Sequence, residues 1–206
     1  MKFYLSSYKI GNQPDRLMAM IPRNNKRTAY ISNAMDVTSN VQARGVRERE
    51  DMSDLRNLGL EVEKIDLRDY FGKAVDLESA LSPFGVLWVC GGNTFVLRQA
   101  MRLSGFDVII HRFRDKDLLY GGYSAGICVL APTLKGLHLV DNPNLKPYGE
   151  ELETIWEGLN LINFSIAPHF QSDHPESEDV TKEVDFCKAH NIPCKPLRDG
   201  EVIVIE

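Results

Sequence analysis

Short apolar runs alternate with stretches of helical periodicity along the chain. That alternation marks a mostly parallel sheet with helices on both faces. The apolar runs predict strands at Lys2–Ser6, Thr28–Ser32, Glu61–Asp66, Val86–Cys90, Leu118–Gly121, Phe164–Pro168 and Val202–Ile205. Two of them, VLWVC from Val86 and LLY from Leu118, are unbroken, as expected of strands covered on both faces. Helical periodicity predicts helices over Asn40–Leu58, stopped by Gly59, and over Thr94–Leu103, with Thr94 as N-cap. Phe106–Arg114 and Thr181–His190 read as amphipathic helices. Lys135–Gly158 is rich in Pro, Gly and Asn and reads as an irregular loop excursion. Charges of both signs alternate through Arg44–Arg56, which reads as a solvated helix face rather than a binding patch.

Composition narrows the class. The 206 residues are 43% hydrophobic and 26% charged, enough chain for a real core and the expected size of one domain over residues 1–206. A net charge of −5 argues against sequence-independent nucleic-acid binding, which needs an excess of Lys and Arg. No two of Cys90, Cys128, Cys187 and Cys194 form a C-x-x-C pair, so a zinc or redox site is not expected and a reducing compartment is. No signal-peptide core and no apolar run of membrane-spanning length is present, so a soluble cytoplasmic protein is expected.

The strongest chemical signal is Gly122-Tyr-Ser124-Ala-Gly126, a G-x-S-x-G directly after a buried strand and before a short predicted helix, Ala125–Leu130. A nucleophile elbow demands that context: a tight turn, flanked by glycines, that projects the serine at the carboxyl end of its strand. The Ala125 N–H would then serve as an oxyanion donor. The bland alternative is a glycine-rich turn with a capping serine. A second glycine turn, Gly91-Gly92-Asn93, succeeds another buried strand, and the helix start behind it adds a positive dipole. Both turns fall at strand carboxyl ends, where sites gather in open α/β sheets.

Serine chemistry needs a base. His169, in Ala167-Pro-His-Phe170, comes after a third apolar run and would emerge on the same side. His111, His138 and His190 sit in a helix, a loop and a helix end, and a metal pair of His174 with Asp173 lacks a third ligand cluster. An orienting carboxylate is also required. Asp199, before Gly200, and Asp141, before Asn142-Pro143, both qualify, and both equally read as turn formers.

Three blocks, Val89–Phe95, Gly122–Gly126 and Ala167–Phe170, in this order and spacing, resemble peptidase family S51, the dipeptidase E group. The resemblance implies a class I glutamine-amidotransferase-like (flavodoxin-like) three-layer α/β sandwich. It implies Ser124 as nucleophile, His169 as base and Asp199 as the third member, one methylene shorter than the family's glutamate. It further implies oxyanion or substrate contacts from Gly91, Gly92, Asn93 and Ala125, no metal or cofactor, and a small peptide as substrate, N-terminal Asp-X dipeptides included. A monomer or homodimer is expected, with neither nucleic acid nor membrane as partner. Dipeptidase E recognises the substrate aspartate with an arginine after its histidine, yet Gln171–Val184 contains none. An esterase using the same Ser124, or a non-catalytic binding protein on the same scaffold, are the competing expectations.

Overall fold

The computed structural model describes all 206 residues. Its strands are β1 (Lys2–Ser6), β2 (Arg27–Ile31), β3 (Glu61–Lys64), β4 (Val86–Val89), β5 (Leu119–Tyr123), β6 (Ser165–Ala167), β7 (Cys194–Pro196) and β8 (Val202–Ile205). Its helices are α1 (Pro14–Met20), α2 (Val41–Asn57), α3 (Ala74–Leu81), α4 (Thr94–Ser104), α5 (Phe106–Arg112), α6 (Ala125–Cys128) and α7 (Ser177–Ala189). Six strands form one sheet in the order β3-β2-β4-β5-β1-β8. Its pairings are parallel except that of β8, which runs antiparallel to β1 along the edge.

The two-residue period of the buried strands divides the core. Leu87 and Val89 of β4 enter a 34-residue cluster with Phe95, Tyr120 and Ile127. Val86 and Trp88 enter a 13-residue cluster on the opposite face with Tyr4, Tyr30 and Tyr123. The result is an α/β sandwich with its mostly parallel sheet in the middle. Burying a side chain of this size stabilises the fold by about 1.5–3 kcal/mol, so β4 and β5, central and covered on both faces, anchor the turns at their carboxyl ends.

Several expectations need correction. β6 does not join the main sheet; it pairs in parallel only with β7, in a separate two-stranded sheet. α1, α3 and β7 are not marked in the sequence pattern, being short and flanked by weak signals. α7 begins at Ser177, four residues before the predicted start. The cap of α4 is Asn93, whose side chain accepts the Val96 N–H at 3.0 Å, rather than Thr94. The charged stretch of α2 is not a uniformly solvated face. Glu48 and Asp51 are buried, Glu48 accepting from Ser32, Arg44 and Lys64, and Asp51 from Tyr30 and Tyr123. No helix is long and apolar enough to cross a membrane.

Candidate active site

Ser124 joins β5 to α6 with φ 50° and ψ −122°, a backbone conformation that costs an ordinary residue on the order of 1–3 kcal/mol. The glycines around it permit the turn. A Cβ on Gly126 would lie 2.1 Å from the Val89 carbonyl oxygen, and one on Gly91 would lie 2.9 Å from the Ser124 Cβ. The start of α6 is therefore packed directly on the end of β4, and both glycine turns open on one region. The N–H groups of Gly91 and Gly92 donate to no acceptor within the protein, and that of Ala125, at the start of α6, precedes any intrahelical acceptor. The Asn93 side chain, by contrast, caps α4 and donates to the Asn142 carbonyl, while its N–H donates to Ala34. Asn93 thus shapes the turn while also bordering the open cleft beside it.

His169 comes just after β6 and is itself left-handed, with φ 64°. It is 2% exposed, and its Nδ1 lies 2.7 Å from Asp199 Oδ1. Asp199 comes from the turn between β7 and β8, so the small second sheet and the edge strand together deliver this pair. Ser7, which carries no signal in the sequence, fixes both partners. Its hydroxyl, at the end of β1, donates to Asp199 Oδ1 at 2.9 Å and accepts the His169 N–H at 2.9 Å. The Ser172 hydroxyl accepts the Asp199 N–H at 2.8 Å. Burial lowers the His169 pKa below its ordinary value, against the opposing pull of Asp199. With Nδ1 turned to Asp199, Nε2 is the nitrogen left for chemistry. No hydrogen bond joins Ser124 Oγ to His169, whose side-chain partner is Asp199.

Asp141 lies elsewhere. Its carboxylate accepts the Thr94 N–H at 2.8 Å, at the start of α4, and burial pushes its pKa up to about 6. His174 stacks on His169 with ring centroids 3.7 Å apart and planes within 8°, and its Nδ1 is 3.9 Å from Glu176. His169, His174 and Glu176 bring ligand-type atoms within 4.8 Å of one another, so the acid near His174 is Glu176 rather than Asp173. Parallel stacked rings cannot both point a lone pair at one ion between them, and His169 Nδ1 is engaged by Asp199, so the trio fits a metal poorly.

Two hollows adjoin the glycine turns. A small cavity is lined by Ser124, Ala125, Pro168 and the acids Asp141, Glu176 and Glu183. An open cleft of about 340 Å³ runs from Gly92 and Asn93 to Arg44 and Arg47 of α2, sharing Asp141 and Glu176 with the cavity. A larger hollow of about 560 Å³, around Arg23, Asn25 and Asp117, touches neither the glycine turns nor His169. Alternating charge hides the cleft arginines in the sequence. Glu183 leaves a signal: it falls in phase with Val180, Val184 and Cys187, at a core-facing position of α7.

The description "Peptidase family S51" matches residues 8–206 of the chain. The chain belongs to peptidase family S51. It is accordingly a hydrolase, a serine peptidase by family. It is similar to an uncharacterized peptidase of Listeria innocua, 27% identical over 152 residues that cover 73% of this chain and 68% of that one. Peptidase E of Escherichia coli O1:K1 is 33% identical over 102 residues, covering 50% of this chain and 41% of that protein. The crystal structure of a peptidase E candidate from Listeria monocytogenes EGD-e superposes with a TM-score of 0.72 at 24% identity, covering 98% of this chain and 96% of that one. This S51 chain shares that fold, the flavodoxin-like, glutamine-amidotransferase-like sandwich.

Proposed function

We propose that this S51 peptidase hydrolyses dipeptides or similarly short peptides through Ser124, His169 and Asp199. The observation that carries the reading is the 2.7 Å contact between His169 and Asp199, clasped by Ser7, in a chain whose Ser124 turn is strained in the manner of a nucleophile elbow. Ser124 Oγ attacks the scissile carbonyl while His169 Nε2 takes its proton. The tetrahedral oxyanion lies against the N–H of Ala125, at the start of α6, and the free N–H groups of the Gly91–Gly92 turn. His169 then gives the proton to the leaving amine, and water repeats the sequence on the acyl-enzyme. Asp199 touches neither substrate nor nucleophile; it fixes the imidazole tautomer and stabilises the imidazolium.

The cleft supports a short substrate. Arg44 is already paired with Asp36 and Glu48, but Arg47 has no carboxylate within 4.0 Å and borders the cleft. It is suited to the terminal carboxylate of a leaving residue. An N-terminal aspartyl residue would set its carboxylate against Asp141, Glu176 and Glu183, so Asp-X dipeptides stand at the disfavoured end of this substrate class.

The reading is tested with a fluorophosphonate, which labels only an activated serine, beside hydrolysis of a neutral dipeptide series. Labelling that maps to Ser124, and turnover lost by roughly 10⁴-fold or more in Ser124→Ala, are expected. An unlabelled Ser124, or a Ser124→Ala variant that keeps most of its activity, overturns the reading.

A further inference from the structure

The small cavity beside Ser124 is walled by the start of α4, by α6, by residues 137–141 and by α7. Asp141, Glu176 and Glu183 face it, and no Lys, Arg or His lines it. Glu183 makes this more than a group of acids. It is 1% exposed, and neither carboxyl oxygen has a hydrogen-bond partner. An unsatisfied buried polar group is costly, and a charged one more so. Burial drives the Glu183 pKa well above its ordinary value, with Cys187 and Asp141 adding to the rise. An apolar residue in phase with Val180 and Val184 would carry none of that cost.

We propose that this cavity receives the charged end of the side chain of the substrate's N-terminal residue, and that this end is a primary ammonium. The proposal rests on Ser124 being the nucleophile of a peptidase. The cavity leaves about 10 Å³ for the centre of a water-sized group, room for one compact polar head. An ammonium is that compact and carries three N–H donors; a guanidinium is a broad planar fork. The Asp141 carboxylate spends one oxygen on the Thr94 N–H and has the other to spare. A metal ion fits less well, because the close-set trio of ligand atoms is His169, His174 and Glu176, without Asp141 or Glu183. With room for one compact polar head, the cavity admits only the terminal ammonium of an ornithine or lysine side chain, whose stem stays outside it on the Ser124 side.

Binding to the Ser124→Ala protein, measured by calorimetry, tests the pocket without turnover. The probes are lysine amide, ornithine amide and norleucine amide, each with a free and an acetylated α-amine. Lysine or ornithine amide is expected to bind at least tenfold tighter than norleucine amide, acetylated or not, and Glu183→Gln is expected to remove the difference. Equal binding of charged and neutral side chains, or a preference that vanishes on α-acetylation, overturns the proposal; the latter assigns the cavity to the α-ammonium. In the wild-type chain, kcat/KM for lysyl over norleucyl dipeptides should exceed ten and collapse toward unity in Glu183→Gln. Fluorophosphonate labelling reports separately on the peptidase reading. A labelled Ser124 with no side-chain preference sinks the pocket alone, and an unlabelled Ser124 sinks the peptidase while calorimetry still decides the pocket.

Discussion

Replacing Asp199 by Asn removes a charge and leaves the shape. Which way the new amide turns decides the size of the effect. Asp199 Oδ1 accepts two hydrogen bonds, from the Ser7 hydroxyl at 2.9 Å and from His169 Nδ1 at 2.7 Å. The amide oxygen of Asn can occupy that position and keep both, with its NH2 where Oδ2 makes no hydrogen bond. The imidazole then keeps its productive tautomer, and what is lost is the charge that stabilises the imidazolium. Two unit charges about 4 Å apart at an effective dielectric of about 20 interact by about 4 kcal/mol, or roughly 10³-fold in rate. That is smaller than the loss of about 10⁴ that results when the tautomer is reversed. Adding Ser7→Ala frees the amide to flip, and the double variant should fall about tenfold further. The assay is the rate of Ser124 phosphonylation at a pH above the acid limb, with the His169 titration tracked by NMR. The His169 pKa should drop in Asp199→Asn, a change that a loosened fold alone would not produce. Asp199→Glu, which restores the length found in dipeptidase E, should retain substantial activity. An Asp199→Asn variant within tenfold of wild type would refute the reasoning.

His169 must be neutral to accept a proton, and burial holds its pKa below about 6.5, so activity should rise with pH along a limb centred below that value and be flat above neutrality. A pH–rate profile still rising steeply at pH 7.5 would contradict this. Ser7→Ala leaves the buried His169 N–H without its acceptor and should cost about 1–3 kcal/mol, seen as a Tm lower by several degrees, together with a slower Ser124 phosphonylation. Gly126→Ala sets a methyl 2.1 Å from the Val89 carbonyl oxygen, backbone against backbone, and should destabilise by about 3 kcal/mol or more in a urea titration; a neutral result would mean that β4 and α6 approach less closely than this.

What the sequence disclosed, it disclosed through buried periodicity and through glycine. β4 and β5 are apolar on both faces and short, so their type and neighbours were plain, and Gly122 and Gly126 announced the turn between β5 and α6. β6 reads as another apolar run, but a run of that length does not say which sheet accepts it, and it pairs with β7, itself a Cys-Lys-Pro with no apolar pattern. Charge patterning misled on α2, because Glu48 and Asp51 are buried by virtue of partners from β2, β3 and β5 that lie far off in sequence. The carboxylate choice could not be made locally either. Asp141 and Asp199 both look like turn formers, and what separates them is that one meets the start of α4 and the other meets His169 and Ser7. Ser7 itself looks like any serine after a strand.

The Ser7 clasp has a consequence for how the molecule assembles in time. Everything that shapes the Ser124 elbow, from β1 to α6, is made of residues synthesised in the first two-thirds of the chain. His169 and Asp199 arrive with the last third and are seated only when β8 docks antiparallel on β1, joining residues almost the whole chain apart. Loops that long close slowly and late. On refolding from denaturant, the central sheet should therefore form ahead of the competence to react with a phosphonate. In the proposed mechanism a nascent chain carries Ser124 long before His169, and the β1–β8 pairing acts as the safety catch.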